Sequence, residues 1–169
     1  MRIPTSNVIM TVENTDPECY WLTNYAESLL THIWYPSTVA TRSASVRDMI
    51  VAAVLESGGT AEDANFMLHD FGFRGVETTD AGGIGGAGHL LNFLGTDTLP
   101  ALYFIRKLYG MGDECVGFSV VATEHSVMTA EGRYAEVDGE QINGDIKVLD
   151  KLIKDHPTGI LSVVADSYD

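Results

Sequence analysis

Few residues in this chain have the type and setting to do chemistry. His125 follows Glu124 in Thr123-Glu124-His125-Ser126. An imidazole titrates near neutral pH, so it can move a proton or accept a phosphoryl group, and an adjacent carboxylate can assist it. A lone histidine is more often simply packed or solvated. Asp97, in Gly95-Thr96-Asp97-Thr98, could accept a ligand hydrogen bond or cap a helix. Asp166 and Asp169 could bind a ribose or Mg²⁺, or follow a strand as turn residues. Phe71 and Phe73 flank Gly72, a pattern that usually belongs to a core. Arg74 is one of 10 basic residues, and its planar fork suits phosphate. Gly83 to Gly88 reads G-x-G-x-x-G, but Glu77-Thr78-Thr79-Asp80-Ala81 before it is not the hydrophobic strand that a dinucleotide site requires. The run is better read as a turn into a closely packed helix whose N-terminus could face an anion.

These residues need elements to position them. Val8 to Val12 reads as a short strand. Asp16-Pro17 then opens a helix, with aspartate as cap and proline in the first turn. Its apolar positions run from Trp21 to Ile33, and it should stop before Pro36. A second helix fits Val46, Met49, Ile50, Ala53 and Val54, ending at Gly58-Gly59. Further apolar patterns cover His89 to Leu94 and Pro100 to Leu108. Gly117 to Ala122 suits a buried strand. Ile146, Leu149, Leu152 and Ile153 mark one face of a helix closed by His156-Pro157, and Gly159 to Ala165 is a last strand. Strands alternating with helices predict an α/β domain with a mostly parallel sheet, whose chemistry gathers at the C-terminal strand ends. The segments after Leu68, Val120 and Val163 stand at such ends.

Composition narrows the partners. Apolar residues make up 45% and charged residues 20%, which suits a packed domain. A net charge of -14 repels phosphate backbones and argues against nucleic acid. No apolar run is long enough for a membrane span, and the N-terminus lacks a signal-peptide core. Cys19 and Cys115 have no metal-ligand spacing, which predicts free thiols in a reducing cytoplasm.

The stretches Thr11 to Asn24, Leu68-His69-Asp70-Phe71-Gly72-Phe73-Arg74-Gly75-Val76, Asn92 to Thr98, Ala122 to Ser126 and Ser162 to Asp169 carry a more specific message. In order and spacing they resemble the nicotinamide phosphoribosyltransferases of the type II phosphoribosyltransferase family, and the likeness covers essentially the whole chain. It implies an irregular (β/α) barrel with mostly parallel strands, present here in part, with residues 1–15 left from a preceding β-rich domain. The implied reaction joins nicotinamide to phosphoribosyl pyrophosphate in NAD salvage, releasing pyrophosphate.

The same resemblance implies roles. Phe71 would stack on the pyridine, and Asp97 would accept from the carboxamide and repel the carboxylate of nicotinate. Arg74 would sit near the phosphates. His125, with Glu124 beside it, would be phosphorylated by ATP. Asp166 would lie near the ribose and the Mg²⁺-pyrophosphate. Phe118, Ser119, Val120 and Ser162 would line the pocket; family members often carry tyrosine where Phe118 stands. Phe71, Asp97, His125 and Asp166 are expected around one cavity. The family's N-terminal tyrosine, which reaches across a dimer, and its later phosphate contacts have no counterpart here. The chain therefore reads as a fragment or one half of a split enzyme, inactive without a complementing chain or homo-oligomer. The alternatives are a non-catalytic piece that binds or regulates a full-length homologue, a nicotinate phosphoribosyltransferase, and a nucleotide-dependent oxidoreductase built on the glycine run.

Overall fold

The computed structural model describes residues 2–166, so Asp169 and the Ser167-Tyr168 before it lie outside the described residues. The chain divides into two compact units, Met1–Phe118 and Ser119–Asp169. Each is taken by itself.

The first unit is mainly helical. Asp16 accepts the Glu18 N–H at 2.9 Å and opens a 3₁₀ turn, Pro17–Cys19, before helix α1 (Leu22–Leu30). A second 3₁₀ turn, Thr31–Ile33, leads directly into α2 (Trp34–Glu56). Pro36 was expected to end a helix; instead it sits in the first turn of α2. There a backbone N–H has no partner inside the helix, so its loss costs little. Gly58, at φ 86°, follows the end of α2 as expected. Val8 to Val12 does not form the expected strand: among the described residues it finds no ladder partner, and Val8 and Ile9 are exposed.

The glycine run forms α3 (Thr79–His89) itself, capped by Thr78, whose hydroxyl accepts the Ala81 N–H at 3.0 Å. It is therefore no turn, and His89 to Leu94 is the end of this helix and the bend after it. Bare glycine faces let neighbours close in. A Cβ on Gly86 would lie 2.5 Å from that of Ala101, and one on Gly88 would lie 2.8 Å from the Pro36 carbonyl oxygen. Helix α3 thus packs against both α2 and α4 (Leu99–Leu108). Phe93 is fully buried, with His89 stacked on it at 5.4 Å and the Arg47 guanidinium 5.7 Å from the ring centre. Arg47 also donates to the Asn92 carbonyl at 2.8 Å and to Asn65 Oδ1 at 2.8 Å, tying α2 to the loop after α3.

Three extended segments lie side by side in this unit. Asp70 bridges Thr96 and Gly95 bridges Phe118, both in parallel.

In the second unit, β1 (Val121–Ala122) pairs in parallel with β4 (Leu161–Ser162). The strand predicted for Gly117 to Ala122 is broken up: Phe118 makes a single bridge to Gly95, and only Val121–Ala122 form a ladder, with Val121 exposed rather than buried. The connection carries α5 (His125–Thr129), a hairpin and α6 (Gly144–Asp155). The hairpin, β2 (Tyr134–Val137) and β3 (Glu140–Asn143), was not foreseen. Its signal is Asp138-Gly139, at φ 52° and 84°, the two-residue turn that fits strand twist. Helix α6 buries Val148, with Leu149 and Leu152 half-buried, while Ile146 and Ile153 face solvent. The buried stripe is thus rotated from the predicted one. Met128 and Ala135 complete this small core. The architecture is mixed α/β with short parallel pairings.

Candidate functional site

In the first unit, backbone bonds set the register of the segments around Asp70 and Asp97. The Asp70 N–H donates to the Gly95 carbonyl at 3.1 Å, and the Asp97 N–H donates to the Asp70 carbonyl at 2.9 Å. Alternate residues of an extended segment share a face. His69 and Phe71 therefore point together, their ring centres 4.7 Å apart at an interplanar angle of 38°. His69 Nε2 lies 3.0 Å from Asp97 Oδ1. The Arg74 guanidinium stands 6.0 Å from the centre of the Phe71 ring. Asp70 turns the other way: its Oδ1 accepts the Gly72 N–H at 2.8 Å, which shapes the bend carrying Phe71.

The three first-unit residues Phe71, Arg74 and Asp97 are thus brought together, with His69 between ring and carboxylate. His69 was missed. The i, i+2 spacing to Phe71 in Leu68-His69-Asp70-Phe71 was the available signal. Phe71 is 53% exposed, so it is not the core residue that its pattern suggested. Phe118 meets Phe66 edge-on at 6.1 Å.

In the second unit, the β1–β4 ladder is extended by side-chain chemistry. The Thr123 N–H donates to the Ser162 carbonyl at 3.0 Å, and the buried Thr123 hydroxyl accepts the Val164 N–H at 2.9 Å. Two residues beyond each partner stand His125 and Asp166, with Nε2 3.1 Å from Oδ1. Both side chains are open to solvent, as is Ser162. Glu124 Oε1 accepts the Ser126 N–H at 3.1 Å and caps α5, which fixes where His125 starts. Ser119 and Val120 lead into β1.

A groove of about 650 Å³ lies among α2, α3 and the end of α4, lined by Pro36, Ala40, Ile84, Leu90 and Tyr109 among others. It takes in none of the predicted site residues, and its apolar walls offer little to orient a polar ligand. Among the described residues no three His, Cys, Asp or Glu side chains are placed to hold a metal ion, and no helix is long and apolar enough to cross a membrane.

Comparison with known proteins finds relatives over nearly the whole chain. A nicotinamide phosphoribosyltransferase of Xanthomonas campestris pv. campestris is 42% identical over 168 residues, covering 99% of this chain and 34% of the relative. That of Acinetobacter baylyi is 34% identical, covering 100% of this chain and 31% of its own length. That of Mycoplasma pneumoniae is 31% identical, with 95% and 32% covered. The chain spans about a third of the length of the curated relatives it matches. The model of the nicotinate phosphoribosyltransferase (NAPRTase) family matches residues 66–161, which takes in His69, Phe71, Arg74, Asp97, Glu124 and His125, while Ser162 and Asp166 lie beyond the match. With more than half of its length matched, the chain belongs to the nicotinate phosphoribosyltransferase family.

Proposed function

We propose that the chain provides part of a nicotinamide phosphoribosyltransferase, built on the irregular (β/α) barrel of the type II enzymes and active only with further polypeptide. The observation that carries this reading is the pairing of an open aromatic ring, Phe71, with a carboxylate, Asp97, held through His69. A flat, electron-poor pyridine suits the ring, and a carboxamide N–H₂ suits the carboxylate. A carboxylate in the ligand would meet like charge, which favours nicotinamide over nicotinate. The names of the relatives point the same way.

The His125–Asp166 pair is assigned to the phosphoribosyl side. An ionised carboxylate only accepts, so it favours the tautomer with the proton on Nε2 and leaves Nδ1 as the nucleophile. The terminal phosphoryl group of ATP can then pass to the ring with loss of ADP. Ser162, Ser119, Val120 and Phe118 are assigned to the walls, and Glu124 to placing His125. Mg²⁺ fits only as a companion of pyrophosphate: the described residues offer no cage, and Mg²⁺ commonly keeps its waters and binds through phosphate oxygens. Bound with pyrophosphate, Mg²⁺ would supply charge for the leaving group, and Arg74 would add a fixed cation beside it.

The test uses the chain alone and with a second chain supplying the remainder of a relative. Nicotinamide mononucleotide should form from nicotinamide and phosphoribosyl pyrophosphate only in the mixture. Asp97→Ala should cut kcat/KM for nicotinamide at least about tenfold, the loss of one charge-assisted hydrogen bond. An active mixture in which Asp97→Ala leaves kcat/KM for nicotinamide unchanged overturns the assignment.

A further inference from the structure

We propose that His69 determines specificity together with Asp97, as a positioning residue that holds the carboxylate in one orientation toward an incoming base. This role rests on the reading of Asp97 as the carboxamide acceptor. Asp97 Oδ1 sits 3.0 Å from His69 Nε2. An ionised carboxylate has no proton to give, so Nε2 must carry it. The same imidazole lies against Phe71 at 4.7 Å, and one residue thereby fixes both the platform and the acceptor.

Space for the ring is built into the backbone. A Cβ on Gly95 would lie 2.6 Å from His69 Nδ1, so any larger residue there would push the ring aside. The backbone bonds from Asp70 to Gly95 and from Asp97 to Asp70 hold the two segments in register. The His69 side chain is 23% exposed and that of Asp97 is 47% exposed, so a ligand can reach the carboxylate while the imidazole stays half covered.

Orientation is what His69 adds: a carboxylate held by a fixed donor presents an acceptor to a carboxamide N–H₂ and like charge to a ligand carboxylate.

Nicotinamide and nicotinate are compared as substrates of the chain combined with a second chain that supplies the remainder of a relative. Wild type should prefer nicotinamide about tenfold in kcat/KM, as expected for one charge–charge contact near a surface. His69→Phe keeps a ring on Phe71 but loses the donor; its KM for nicotinamide should rise severalfold and its preference should narrow. His69→Gln keeps a donor and should restore both. Dispersed amide spectra establish that each variant is folded. A His69→Phe enzyme with unchanged KM and preference, or a His69→Gln enzyme that recovers neither, overturns the role of His69. A mixture that shows no preference for nicotinamide, or in which Asp97→Ala changes nothing, overturns the base-site reading itself.

Discussion

Three imidazoles in this chain show how surroundings decide what a histidine does. His89 is buried against Phe93 and bonds only a backbone carbonyl, so burial pushes its pKa below the usual 6.5 and keeps it neutral. His69 is partly covered and bonds a carboxylate; His125 bonds a carboxylate in the open. His89 has a consequence for stability. In the window below pH 6.5 the unfolded chain takes up a proton that the folded His89 resists. The contribution of His89 is therefore complete above pH 6.5 and is lost as pH falls through the lower folded value. Urea midpoints should drop from pH 8 to pH 5.5, and His89→Gln should drop less over the same interval. Equal drops in the two proteins would mean that other groups carry the acid sensitivity.

Helix α3 sets two effects of glycine against each other. Replacing a helical glycine by alanine ordinarily gains up to about 1 kcal/mol from propensity. At Gly86 the new methyl would meet the Ala101 Cβ at 2.5 Å, a short rigid neighbour that cannot swing away, and overpacking of that kind costs about 1–3 kcal/mol. Overpacking should win: Gly86→Ala lowers stability. Gly75→Ala, where nothing lies within 4 Å of the added Cβ, should change it little. Denaturant unfolding of the two variants decides between propensity and packing. The hairpin teaches the complementary lesson, since its turn is specified by two residues at positive φ while its strands carry only weak alternation.

Charge acts over the entire chain. With 24 acidic and 10 basic residues, the surface opposes a polyanionic substrate before any contact forms. On the proposed function, and with the charge of this chain setting the field, raising salt from about 0.02 to 0.2 M should speed capture of phosphoribosyl pyrophosphate, because screening shortens the reach of that repulsion. A capture rate that falls with salt would show that local cations such as Arg74 dominate. The same distinction between local and distributed signals governs what was legible in the sequence. Helices α1, α4, α6 and the second half of α2 declared themselves through apolar spacing. The glycine run misled because a helix held by close approach has almost no side chains to show a period. The strands were overextended because apolar runs such as Gly117 to Ala122 do not reveal how many neighbours they will find. At the site, Phe71, Arg74 and Asp97 could be named in advance through family likeness. The link through His69 needed coordinates, because it joins residues 28 apart.

The hydroxyl of Thr123 accepts from Val164, 41 positions away, just past a parallel pairing only two residues long. So brief a ladder has little to resist a slip, and a slip by one residue would turn Asp166 to the opposite side of the strand. The imidazole of His125 would then lose the partner that selects its tautomer. The phosphate-accepting chemistry assigned to His125 is therefore conditional on finished topology: a half-folded or misaligned chain would present a histidine without its carboxylate and would not consume ATP. Thr123→Val, which keeps the shape and removes the acceptor, would separate that safeguard from the reaction itself.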